Sequence, residues 1–156
     1  MTNSLANCWY LVWLFWAALL ALGQALPAKA QLRKAQLRMY NPASLPSNHE
    51  VSDTLSEQDI PTGEGGFARD YYVRLDDGDQ VAIDLLSDDF DTIVILLAAD
   101  GSTVAENDDG PDGTTNSLLF ARITERGKYI IRVRSFGETG SGNFTLKLTR
   151  LRPMEN

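Results

Sequence analysis

RDYYVRLDDGDQVAIDLL, residues 69–86, alternates apolar and polar side chains twice, with a short run of Asp and Gly between the two halves. Tyr71, Val73 and Leu75 fall on one side of an extended chain and Tyr72 and Arg74 on the other. Val81, Ile83 and Leu85 separate in the same way from Ala82 and Asp84. Successive side chains of a strand point to opposite faces, so this period of two predicts two half-buried β-strands. Asp76-Asp77-Gly78-Asp79 supplies the turn, because Asp bonds its own backbone and Gly accepts positive φ.

The same period runs on toward the C-terminus. TIVILLA at 92–98 is apolar on both faces, which predicts a central strand. Asp100-Gly101 is a hairpin signal, and 102–106 returns as a short strand. Residues 118–123 follow, then 128–135, where Tyr129, Ile131 and Val133 oppose Arg132 and Arg134. The last strand spans 144–149 and turns Phe144, Leu146 and Leu148 inward. These seven short segments, with no helical periodicity, predict an all-β fold: an antiparallel, jelly-roll-like β-sandwich of about seven to eight strands. A domain of about 100 residues hides roughly 60–70% of its unfolded surface, enough to fold without staples.

Toward the N-terminus the pattern stops. Residues 51–66 are polar with Pro and Gly and read mostly as loop, with Leu55 and Ile60 pinned under the domain's edge. Residues 31–50 read as a linker or basic arm, with a short amphipathic helix over 32–40 whose Lys and Arg could rest on anionic lipid. Residues 9–22, WYLVWLFWAALLAL, are uncharged and shorter than the ~20 residues that span a bilayer. With Ala28-Lys29-Ala30 behind them they predict a signal peptide over 1–30, cleaved before Gln31, and a secreted or periplasmic product. No Lys or Arg precedes the run, and Lys29, Arg33, Lys34 and Arg38 follow it, so the alternative is an uncleaved anchor that displays the domain outside the cytoplasm. That is the one circumstance in which a membrane is a partner. The domain then occupies 51–152. The single cysteine, Cys8, leaves with the signal, so neither a disulfide nor thiolate chemistry is expected.

Charge is unevenly spread. Residues 50–112 hold 18 acidic side chains against Arg69 and Arg74, whereas 113–156 hold 3 acidic and 8 basic ones. A chain this acidic lacks the concentrated basic face that nucleic acid requires. The asymmetry predicts strands of opposite charge lying side by side in a sheet.

AENDDGPDGTTNS, residues 105–117, concentrates carboxylates, amides and glycines. Catalysis is the poorest account of it. The single histidine, His49, lies outside the patterned domain, Ser117 has no G-x-S-x-G elbow, and adjacent Asp108 and Asp109 would point to opposite faces of a strand. No enzyme is expected. Oxygen ligands suit a structural Ca²⁺, which takes six to eight of them at roughly 2.3–2.6 Å. No EF-hand spacing is present, but a site could form from two loops. A hairpin turning at Asp100-Gly101 would bring Asp89 and Asp91 to the sheet edge beside Asn107, Asp108, Asp109 and Asp112, with Asp91 nearly opposite Asp109. The alternative is turn chemistry, in which Asn107 and Asp91 cap loop backbone and Asn116 closes the turn. Tyr71, Tyr72 and Phe136 are candidates either for exposed aromatic contacts or for the core and its rim.

DDFDTIVILLAADGSTVAENDDGPDGTTNSLLF at 88–120, GKYIIRVRS at 127–135 and GNFTLKL at 142–148 together resemble the bacterial pre-peptidase C-terminal domain. The resemblance covers about 55–151 and rests on a D-G turn, an N-D-D loop ending in N-S, and G-x-Y and G-x-F strands. It implies a jelly-roll-like sandwich of secreted proteins, often appended to proteases, with calcium and collagen bound by some relatives. Only the apolar run and a short arm precede the pattern in this sequence, so the resemblance carries over no substrate. Residues 93–97 also present aliphatic side chains where relatives often present tyrosines. The expectation is a non-catalytic binding or stabilising module whose partner is an extracellular or periplasmic protein or polysaccharide.

Overall fold

The computed structural model describes residues 40–63, 65–111, 113–137 and 140–151. The expected signal peptide, residues 31–39 of the arm and Asp112 lie outside the described residues.

Among the described residues there is no helix, and ten strands form two sheets. They are β1 (Ala43–Ser44), β2 (Glu50–Leu55), β3 (Ile60–Pro61), β4 (Phe67–Leu75), β5 (Gln80–Leu86), β6 (Thr92–Leu97), β7 (Thr103–Asn107), β8 (Ser117–Arg122), β9 (Gly127–Ser135) and β10 (Gly142–Leu151). The first sheet runs β1-β4-β9-β6-β7, with β3 also on β4; the second runs β2-β10-β5-β8. From β4 onward the chain crosses between sheets at every connection except the β6–β7 hairpin, which gives the expected jelly-roll-like sandwich.

The period of two holds where it was clearest. Tyr71, Val73 and Leu75 of β4, Val81, Ile83 and Leu85 of β5, and Phe144, Leu146 and Leu148 of β10 all bury between the sheets. Phe144 stands edge-on to Tyr71 (centroids 6.3 Å, 71°) and to Phe90 (6.5 Å, 73°), the aromatic geometry that exceeds simple area burial. Every position of β6 is buried, as expected of a central strand. Its outward members Ile93, Ile95 and Leu97 form a second small cluster with Ile130.

Charge follows the ladder. β9 lies against β4 with Arg132 opposite Asp70, and their side chains meet in two parallel hydrogen bonds of 2.8 Å. On β10, Lys147 sits between Glu50 of β2 and Asp84 of β5. The basic C-terminal strands therefore neutralise the acidic N-terminal ones, as the charge asymmetry predicted.

Three expectations are corrected. Residues 50–55, read as loop, form β2, a full edge strand on β10. Its inward positions are Val51, Asp53 and Leu55, so a carboxylate interrupts the apolar face and hides the period. Residues 43–44, read as arm, pair with β4 in parallel, and Leu45 beside them is buried in the core. The sandwich is thus not wholly antiparallel, because the chain visits the second sheet as β2 before returning to β4 in the same direction. Third, β6 and β7 pair as Val94↔Asn107, Ile95↔Glu106 and Leu96↔Ala105, with an irregularity between Leu96 and Leu97. That bulge slips the register by one residue, so Asp91 is aligned toward Gly110 and not toward Asp109.

Candidate functional site

The outward face of the second sheet is polar where β2, β10 and β5 adjoin. Ser52 stands beside Thr145 and Thr145 beside Leu86, while Thr54 stands beside Asn143. The chain leaving β5 rises over this face as Ser87, Asp88 and Asp89. Together they enclose a groove of ≈ 610 Å³, completed by Asn116 and by parts of Asp53 and Phe144. Among the described residues no Lys, Arg or His lines it.

Local bonds fix the walls. Ser87 Oγ donates to the Asn143 carbonyl at 2.8 Å and accepts the amide N–H of Asp89 and Phe90. The Asn116 side-chain oxygen accepts the Ser87 amide at 2.9 Å, and Asp89 accepts the Asn143 amide at 2.7 Å. Gly142, at φ 142°, lets Asp89 come this close, since any Cβ there would collide with the Asp89 side chain. This gives the glycine of the G-x-F strand a physical reason. On the floor, Thr54 donates to Asn143 Oδ1 at 2.8 Å, and Ser52 and Thr145 share a hydroxyl bond of 3.2 Å. What stays free among the described residues is the Nδ2 of both Asn116 and Asn143, the Asp88 carboxylate, and Leu86, which is 47% exposed.

Behind the groove, Asp53 joins a charged network. Its Oδ2 accepts the Tyr71 phenol at 2.7 Å and pairs with Arg69 Nη1 at 2.5 Å, while Arg69 Nε reaches Asp59 at 2.7 Å. Burial alone would raise the Asp53 carboxyl, but bonds from Tyr71, the Thr54 amide and Arg69 hold it below its ordinary value. Burial, and then the anionic Asp53 beside it, push the Tyr71 phenol up. Buried in the core, the Tyr71 phenol ties β4 to the Asp53 carboxylate of β2.

The acidic stretch resolves largely into backbone chemistry. Asn107 Nδ2 donates to the carbonyls of Asp109 (2.7 Å) and Leu118 (2.8 Å), its Oδ1 accepts the Asp108 amide (3.1 Å), and the Leu118 amide donates to the Asp109 carbonyl (3.1 Å). Of the proposed calcium ligands, Asp89 is bound to β10, and Asp91 contributes its carbonyl to the Phe136 amide. Asp108 and Asp109 turn to solvent, and Asp112 lies outside the described residues. Among the described residues no three acidic, His or Cys side chains gather closely enough to hold a metal ion.

The aromatic candidates separate. Tyr71 belongs to the core, Tyr72 is half-buried under Lys128 Nζ (4.1 Å from the ring centroid), and Phe136 is exposed. Phe120, the most exposed large apolar side chain described, was missed, because LLF in 118–120 gives no alternation to assign a face. Of the groove residues, Asp89 and Asn116 were singled out for other roles and the floor was missed. Ser52, Thr54, Asn143 and Thr145 are ordinary outward polar residues, and only the pairing of β2 with β10 gathers them.

A family model described as the bacterial pre-peptidase C-terminal domain matches residues 68–135. Among solved structures, the pre-peptidase C-terminal domain of collagenase from Bacillus anthracis superposes with TM-score 0.54 at 12% identity, covering 70% of this chain and 95% of that one. A periplasmic inhibitor of g-type lysozyme from Aeromonas hydrophila gives TM-score 0.48 at 12% identity, covering 69% and 96%. Its Salmonella Typhimurium counterpart gives 0.44 at 10%, covering 70% and 100%. No curated protein sequence matches the chain.

Proposed function

We propose that the chain, whose residues 68–135 match the model of the bacterial pre-peptidase C-terminal domain, is a non-catalytic module, exported from the cytoplasm, which acts by binding at the groove between the 87–89 loop and the β2–β10 pair. One observation carries this reading. The groove presents free amide, carboxylate and apolar groups on a floor held rigid by its own hydrogen bonds, and no nucleophile with an activating base faces it. The match of residues 68–135 to a family of modules from secreted proteins supports export, as does the residue pattern over 1–30.

Fractionation of producing cells, with N-terminal sequencing of the recovered protein, tests the export. A chain beginning at Gln31 in the periplasm or medium is the expected result. A chain beginning at Met1 in the membrane fraction favours the anchored alternative, in which the same groove is displayed from the envelope. Recovery from the cytoplasm would remove both.

A further inference from the structure

We infer that the groove takes a neutral, polyhydroxylated chain, a glycan without acidic or basic substituents. The inference rests on the groove being the binding site, and names the ligand class from the chemistry of its walls.

Anionic ligands are disfavoured first. Nothing cationic lines the groove, whereas Asp53, Asp88 and Asp89 do, so a uronate, sulfate or phosphate would meet only repulsion. Cationic ligands find less charge than the lining suggests. Asp53 is partly compensated by Arg69, which it shares with Asp59, and one oxygen of Asp89 is occupied by the Asn143 amide. Asp88 and Asp89 keep their charge, and solvent-exposed carboxylates attract weakly through physiological salt.

Neutral hydrogen bonding is what the groove has in quantity. Asn116 and Asn143 each have their Nδ2 donors unused, Asp88 offers both oxygens, and the Ser52–Thr145 hydroxyl pair keeps one proton and several lone pairs free. Sugar hydroxyls donate and accept alike, and a planar amide or carboxylate can address two neighbouring hydroxyls at once. Leu86 adds an exposed apolar surface beside these groups, suited to the C–H face of a pyranose ring. Because the floor bonds are already made, such a ligand finds its partners preorganised.

The test is equilibrium binding of the labelled full chain to beads carrying α- and β-linked neutral hexose and N-acetylhexosamine polymers, to alginate beads and to poly-lysine beads. Leu86→Lys blocks the groove, and Leu151→Lys, on the same sheet face but outside it, is the control; melting curves confirm that both variants fold. We expect at least one neutral polymer to bind, at least tenfold more weakly to L86K and equally to L151K. Binding to alginate or poly-lysine alone, lost in L86K, would overturn the ligand class and leave the groove as the site. Neutral-polymer binding that L86K does not weaken would overturn the site itself. No binding to any neutral polymer overturns the glycan assignment.

Discussion

Asn107 holds Leu118 by the backbone: its amide donates at 2.8 Å to the Leu118 carbonyl, across the gap between the last strand of one sheet and the last strand of the other. The Leu118 amide bonds Asp109 in turn, so the loop covers both outward backbone groups of that residue. An edge strand left open is a template for pairing with other chains, and here the acidic loop closes part of it. The carboxylates are exposed because the turn needs short polar residues and the surface needs charge.

Replacing Asn107 by Ala therefore removes two donors and leaves the Leu118 carbonyl without a partner. The expected cost is about 1–2 kcal/mol, or a melting point lower by roughly five to ten degrees. Asp108→Ala, which removes only a solvent-facing carboxylate, should stay within about 0.5 kcal/mol of the parent. Equal losses for the two variants would mean that the clamp is not what holds this loop.

The network behind the groove predicts a pH dependence at both ends. Asp53 has a depressed carboxyl pKa, so its contribution is complete above the unfolded value of about 3.9 and drains away as pH falls through its lower folded value. Tyr71→Phe removes a principal donor, and its stability curve should flatten below about pH 4 relative to the parent. Tyr71 itself has a raised pKa, so its contribution is present below about pH 10 and is lost as pH rises beyond it. In a tyrosinate absorbance titration, the native chain should keep this phenol protonated past the range where exposed tyrosines ionise, and release it on unfolding.

Calcium gives a third check. A specific site at a hundredfold excess over its Kd adds about 2.7 kcal/mol. With Asn107 committed to carbonyls and Asp89 to an amide, melts in EDTA and in millimolar calcium should coincide, with magnesium as control. A calcium-selective rise abolished by Asp109→Ala would restore the two-loop site.

The strands of the 68–151 region were legible because their inward positions are almost all apolar and the period of two survives intact. β2 was not, since Asp53 occupies an inward position and only the folded chain supplies Tyr71 and Arg69 to satisfy it. The alignment of Asp91 with Asp109 failed on one bulged residue between Leu96 and Leu97, which no composition rule announces. The groove was the least legible of all. Its floor joins Ser52 to Thr145 and Thr54 to Asn143, side chains from opposite ends of the domain whose outward polarity looks like ordinary surface.

The most direct measurement compares Thr145→Arg, which fills the groove floor, with Thr149→Arg, four residues along the same strand on the same face but beyond the groove. Co-sedimentation of each with insoluble neutral hexose and N-acetylhexosamine polymers, beside the parent chain, reads whether binding passes through this site. The account predicts retention by the parent and by T149R, and its loss in T145R at an unchanged melting point. Equal retention of all three would contradict it, and would move the search for a binding surface to the faces around Phe120 and Phe136.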